Sequence, residues 1–254
     1  MKKINGYEFD TEFTPDQQRE INEGIEAGLD VTVYAKPEFL AIQMREIRLG
    51  MLQKLPVERY AKIEYDWFQI SEIRRGLNSN LAVSKYEDPS APFETMRQIR
   101  YGLEEGIDLS SGKKLPAGIL KELRKSVKSK VDISEYIRQG YDEQQLEQIR
   151  IALEKGVDIA PYLSLCYRGA AIREICIGLE EKIDVSMYAR TEMSWQQMRE
   201  IRLGLEERLD AEIYVNPFYS WQQMREIRLG LEDNLPVEVY SSLMYTAKQM
   251  NKKR

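Results

Sequence analysis

Apolar residues recur along the chain in triplets spaced 3 and then 4 residues apart, and the triplets themselves recur about every 26 residues. Their central members are Ile21, Ile47, Ile73, Ile99, Leu123, Ile149, Ile175, Ile201 and Ile227, each 26 residues after the last except for a step of 24 into Leu123. Typical flanks are Met44 and Met51 around Ile47, or Met198 and Leu205 around Ile201. Spacings of 3 and 4 place three side chains on one face of a helix, and a fixed period of this length marks a repeat architecture. A lone helix with one apolar stripe cannot shelter it, so the copies must stack. The pattern predicts an all-α fold, an α-solenoid or superhelix of nine two-helix repeats with a long helix A and a short helix B. Residues 1–254 form one solenoid in this reading. Residues 1–34 are its N-terminal capping repeat, 109–136 an irregular basic repeat, and 227–254 the last repeat and C-terminal cap.

Helix starts and stops are written beside the stripe. Thr14, Asp66, Asp142, Ser194 and Ser220 lie seven residues before the central Ile and are good N-caps, with Gln17, Gln69, Gln145, Gln197 and Gln223 three residues on to complete capping boxes. Gly28, Asn80, Gly106, Gly156 and Asn234 lie seven after it, where a left-handed residue ends a helix. Helix A is thus predicted to run about thirteen residues. Asp30, Asp132, Asp158, Asp184 and Asp210 are placed to cap helix B, and a tyrosine column (Tyr34, Tyr60, Tyr86, Tyr136, Tyr162, Tyr188, Tyr214, Tyr240) closes it. So regular a column predicts a buried ladder with hydrogen-bonded hydroxyls. Glycine inside helix A (Gly24, Gly50, Gly76, Gly102, Gly178, Gly204, Gly230) costs about 1 kcal/mol per site against alanine, which predicts close backbone contact with the neighbouring repeat.

The phrase Gln-Met-Arg-Glu-Ile-Arg-Leu-Gly-Leu-Glu at 197–206 and 223–232, with Leu-Asp and then Tyr214 after its first copy, resembles the short helical repeats of uncharacterised proteins from gut-dwelling Firmicutes, some carried on mobile elements. The resemblance covers nearly the whole chain. It implies a helical-repeat fold and a bacterial cytoplasmic setting, and brings no activity and no site residues.

Composition narrows the chemistry. The chain has no histidine, which removes the commonest general base and zinc ligand, and only two cysteines. It carries no long apolar run and no apolar leader segment, so neither a membrane span nor a secretory signal is expected, and the expected compartment is the cytoplasm. No cofactor and no metal are implied. Two basic columns run along helix A, one two residues before the central Ile (Arg19, Arg45, Arg97, Lys121, Arg173, Arg199, Arg225) and one just after it (Arg48, Arg74, Arg100, Arg124, Arg150, Arg202, Arg228). The acidic column Glu26, Glu104, Glu154, Glu180, Glu206 and Glu232 lies between them, which predicts an arginine–glutamate lattice within and between repeats. The fifth repeat departs from this balance. Lys113, Lys114, Lys121, Arg124, Lys125, Lys128 and Lys130 face a single acid, Glu122, for a local net of +6 in a chain of net −5. Those seven are the candidate anion- or partner-binding residues. Cys166, Cys176, Trp67, Trp195 and Trp221 read as packing residues. The function expected is that of a non-enzymatic scaffold binding a protein partner on an extended curved surface. The alternative is nucleic-acid or phosphate binding through residues 113–130.

Overall fold

The structure is a computed structural model that describes residues 12–254 throughout and, of the first eleven, the backbone of Lys2–Ile4 and Tyr7–Phe9. It divides into two compact parts, Met1–Arg124 and Lys125–Arg254. The first holds a two-stranded antiparallel hairpin, β1 (Lys2–Ile4) and β2 (Tyr7–Phe9), with Ile4 opposite Tyr7. It continues with α1 (Pro15–Glu26), α2 (Ala41–Leu52), α3 (Trp67–Asn78) and α4 (Phe93–Glu104). Helix α5 (Ala117–Ser129) spans the division. The second part holds α6 (Ser134–Gln139), α7 (Glu143–Glu154), α8 (Gly169–Glu180), α9 (Trp195–Glu206), α10 (Trp221–Glu232) and α11 (Ala247–Lys253). In the first part α1 packs on α2, α2 on α3 and α3 on α4; in the second the same holds from α7 through to α11. The fold is the all-α repeat stack that the apolar stripe predicts. The hairpin is an addition to it: β1 lies against α1, inside the stretch expected to be a capping repeat. Asn5 and Gly6, outside the described residues, are the sequence signal for such a turn.

Each helix A is twelve residues, thirteen in α5, and its central Ile or Leu is buried or nearly so. Helix B shrinks to a single 3₁₀ turn, as at Val31–Val33 or Val185–Met187; α6, with six residues, is the exception. The stop signal is more uniform than its sequence. All nine C′ positions are left-handed, including Lys54, Lys130, Lys182 and Arg208 at φ 57–62° where other copies have Gly or Asn. The same pair of bonds closes each of these ends, for example Leu209 N to Gly204 O at 2.9 Å and Arg208 N to Leu205 O at 3.1 Å. A side chain costs roughly 1–2 kcal/mol in this conformation, partly offset by the greater chain entropy that glycine loses on folding. Arg208→Gly is therefore expected to stabilise the protein by about 0.5–1 kcal/mol in urea unfolding; a loss of stability would mean that the arginine does more there than close a helix.

The capping-box glutamines do a second job that the sequence reading missed. Gln197 accepts from Ser194 N at 2.8 Å through Oε1, while its Nε2 donates to the carbonyls of Pro217 at 3.0 Å and Tyr219 at 2.7 Å in the next linker. Gln17, Gln69 and Gln145 grip the following linker in the same way. Each buried amide thus caps one helix and ties down the loop that leads into the next.

The glycine column has a different cause from the one expected. A Cβ on Gly204 would lie 1.9 Å from the hydroxyl of Tyr214, and Gly24, Gly50, Gly76, Gly178 and Gly230 face Tyr34, Tyr60, Tyr86, Tyr188 and Tyr240 at 1.6–1.9 Å. In these six repeats the neighbour is the tyrosine of the same repeat, folded back over its own helix, and not the backbone of the next; Gly102, whose repeat has Gly112 in the tyrosine's place, faces Ile107 O and Leu109 of its own repeat. In four repeats the tyrosine hydroxyl donates to a helix carbonyl: Tyr34 to Glu20 O at 3.0 Å, Tyr86 to Glu72 O at 3.1 Å, Tyr188 to Glu174 O and Tyr214 to Glu200 O at 3.2 Å; the hydroxyls of Tyr60 and Tyr240 are buried without a partner, against the expected ladder. Tyr136 and Tyr162 break the expected ladder and are only half-buried. In those repeats Ser126 and Ala152 stand in the glycine's place, and the larger Ile133 and Ile159 are fully buried where the six repeats above have a valine or alanine. The turn there starts one residue later, which moves the tyrosine outward.

This burial has a consequence at high pH. An unfolded tyrosine ionises near 10, whereas burial pushes Tyr34 up to about 12 and raises Tyr60, Tyr86, Tyr188 and Tyr214 as well. The native state holds these protons more tightly, so the contribution is intact below the unfolded value and is lost as pH climbs through the folded one. Unfolding between pH 10 and 12 should coincide with a cooperative rise in tyrosinate absorbance. A gradual, non-cooperative titration of all fifteen tyrosines near pH 10 would count against the buried column.

Candidate interaction surface

The polar groups between helices are arranged as a ladder. In the first part Arg48 Nε donates to Glu20 at 3.0 Å, Arg74 Nε to Glu46 at 2.9 Å, and Arg100 Nε to Glu72 at 2.7 Å. In the second, Arg202 reaches Glu174 and Arg228 reaches Glu200, both at 2.9 Å, and Arg254 reaches Glu226 at 3.2 Å. Several of these guanidinium groups also bond an acid one turn on in their own helix: Arg100 to Glu104, Arg202 to Glu206, Arg228 to Glu232. The lattice expected within and between repeats is present. Its inter-helix half, however, uses the acids one residue before the central Ile, a column the sequence reading passed over.

Two rungs lack their acid, and the cation adjusts. Gln98 replaces the glutamate opposite Arg124, whose guanidinium turns to Glu105 at 2.7 Å and lies 5.6 Å from the Tyr101 ring. Gln98 Oε1 and Arg124 Nε, the atoms that would form the rung, are buried without a partner. Gln148 replaces the next, and Cys176 stands where an arginine would, its Sγ 3.9 Å from Gln148 O. Burial pushes the Cys176 thiol up to about 12, so it stays protonated and behaves as a packing group. Cys166 is exposed.

The seven candidate basic residues do different things. In the first part Lys113 and Lys114 are exposed and line an open cleft of about 700 Å³ whose walls also carry Asp88 and Glu94. Asp88 is held below the usual carboxylate range, mainly by the hydrogen bonds from Ser90, with the charge of Lys113 adding to it. Lys121 is half-buried, 3.8 Å from the wholly buried Glu122, and Arg124 is committed to Glu105. In the second part Lys125 is half-buried and its charge helps lower Glu154, after the Ser129 and Arg150 hydrogen bonds. Lys128 is exposed, and Lys130 is the left-handed residue that closes α5. The local excess of +6 read from sequence is therefore partly spent on acids, and one lysine has a backbone role.

Surface residues that the sequence reading did not single out lie in the second part. Phe218 (82% exposed) and Met244 (88%) stand at linker tips, with Leu243 half as exposed. The equivalent tips carry Glu38, Glu64, Ser90, Lys114, Gly140, Cys166 and Glu192, so a large apolar residue in a column of polar or small ones was the available signal. Arg173, Arg199 and Arg225 are exposed and make no ion pair among the described residues, unlike the arginines three residues further along their helices in α9 and α10.

Among the described residues, no group of three or more His, Cys, Asp or Glu is placed to hold a metal ion, and no helix is long and apolar enough to cross a membrane. Comparison of the chain with protein-family models, with curated proteins and with solved structures returns no match.

Proposed function

We propose that the chain is a non-enzymatic helical-repeat scaffold that binds a protein partner on the outer surface of its repeats. The observation behind this reading is how the ionisable groups are spent. Inside each part, the buried acids and arginines are used up in a ladder that repeats from helix to helix, and apart from the broken rungs at Gln98 and Cys176 the unpaired cations and apolar tips lie at the surface. Repetition holds a stack together; it gathers no acid–base pair at one place, as catalysis would require. Affinity capture from the native host with the full chain as bait tests this. The expected result is a stoichiometric protein that survives nuclease treatment. Recovery of nucleic acid alone would overturn it.

The second reading, nucleic-acid or phosphate binding through residues 113–130, draws on the exposure of Lys113 and Lys114 in their cleft. It requires binding that weakens steeply with salt and falls when both lysines are changed to glutamate.

A further inference from the structure

The two exposed apolar tips are held in place by backbone-directed bonds. Gln197 grips the carbonyls on either side of Phe218, and Phe218 N donates to Asn216 Oδ1 at 3.0 Å, so the ring is thrown outward on a fixed loop. In the next linker Gln223 holds the carbonyl of Tyr245 at 2.7 Å, and Met244 N donates to Ser242 Oγ at 3.3 Å. Between the starts of α10 and α11 lies an open groove of about 460 Å³, with Ser220, Gln222 and Gln223 on one wall and Leu243, Met244 and Lys248 on the other. Large apolar side chains on pre-set loops bind without the ordering cost of a mobile loop, and phenylalanine and methionine are enriched at protein interfaces.

The charge around the groove has one dominant sign. Gln222 lines it, and Arg225, three residues on, shares that face of α10; Arg199 occupies the same place on α9. Arg199, Arg225 and Lys248 are exposed and have no acidic partner among the described residues. No carboxylate side chain occurs between Glu238 and Arg254, and the acids of α9 and α10 at Glu200, Glu206 and Glu232 are taken by Arg202 and Arg228. Glu192, an exposed tip beside α9, is the opposing charge.

We infer that this face of α9–α11 binds an acidic peptide segment of the partner, whose apolar side chains cover Phe218, Leu243 and Met244 while its carboxylates meet Arg199, Arg225 and Lys248. The inference rests on the scaffold reading and gives its partner a chemistry. Sixteen-residue random peptides displayed on phage, selected on the immobilised full chain, test it. Enriched peptides should be acidic with interspersed apolar residues. Their binding should weaken about tenfold or more for Phe218→Ser/Met244→Ser and for Arg225→Glu/Lys248→Glu. Both changes are at exposed positions, and unfolding curves that match the parent chain show that the fold is kept. Enriched peptides that are basic or uncharged, or that bind the variants equally well, overturn the assignment, as do an absence of enrichment and a preference of the same residues for anionic phospholipid vesicles or single-stranded DNA. If a captured host protein binds the Phe218→Ser/Met244→Ser chain undiminished, the scaffold reading stands and this surface is the wrong one.

Discussion

Replacing Gly204 by alanine is expected to destabilise the protein by about 2–4 kcal/mol, against the direction of helix propensity. In an ordinary helix the change would gain about 1 kcal/mol. Here the new Cβ would stand 1.9 Å from the Tyr214 hydroxyl and 3.2 Å from its Cζ. Tyr214 is fully buried and bonded to Glu200 O, so the ring must leave its slot or the helix must shift. Overpacking of this kind costs about 1–3 kcal/mol, and more where a buried aromatic is displaced. Tyr214→Phe alone should cost about 1 kcal/mol for the lost hydrogen bond. In the Gly204→Ala background the same change should be stabilising, because it removes the atom at 1.9 Å and leaves Cζ at 3.2 Å, a close contact that a small shift of the ring relieves. A double-mutant cycle in urea reads this as a coupling of at least about 1 kcal/mol. A neutral or stabilising Gly204→Ala would refute the lock.

Glu72→Ala should cost about 3–5 kcal/mol, because it strands a buried cation. Glu72 is 1% exposed and accepts from both Arg97 Nε at 2.8 Å and Arg100 Nε at 2.7 Å. Burial works against the charge on Arg100, and its bonds to Glu72 and Glu104 outweigh that, so its pKa is raised. Removing Glu72 leaves Arg100 with the more exposed Glu104 alone. The rung as a whole need not be worth this much: Glu72→Leu with Arg100→Met should recover most of the loss, since a buried ion pair often does no better than well-packed apolar side chains. Thermal or urea unfolding of the two variants beside the parent chain separates the two quantities. Equal stability of Glu72→Ala and the double variant would show that no buried charge had been stranded.

The repeat, its helix ends and its core were legible in the sequence because each rests on local chemistry. Ser194 and Gln197 announce a helix start whatever surrounds them, and the stripe through Met198, Ile201 and Leu205 can face only a neighbour. The glycine column was visible but its cause was not, because Gly204 and Tyr214 are ten residues apart and only the fold of the turn between them brings them together. The inter-helix rungs join residues 28 apart, two more than the period, so a column-by-column reading kept Glu200 and Arg228 separate. Lys130 shows the converse limit. Its charge placed it with the basic cluster, while its position seven residues after Leu123 gives it a left-handed backbone and a helix to close. The apolar tips at Phe218 and Met244 were readable as exceptions in their column, but their exposure depends on how the glutamines hold the linkers.

The central claim is that each helix of the stack depends on its immediate neighbours alone, and deletion of one whole repeat tests it most directly. Removing residues 195–220 joins Ser194 to Trp221, restores the same cap and helix, and brings Arg228 to Glu174 in place of Glu200. Circular dichroism should show unchanged helix content per residue, and urea unfolding should stay cooperative with a modest loss of stability. A shortened chain that is molten, aggregated or unfolded would contradict the claim, because it would mean that the deleted helix belonged to a core shared across the fold.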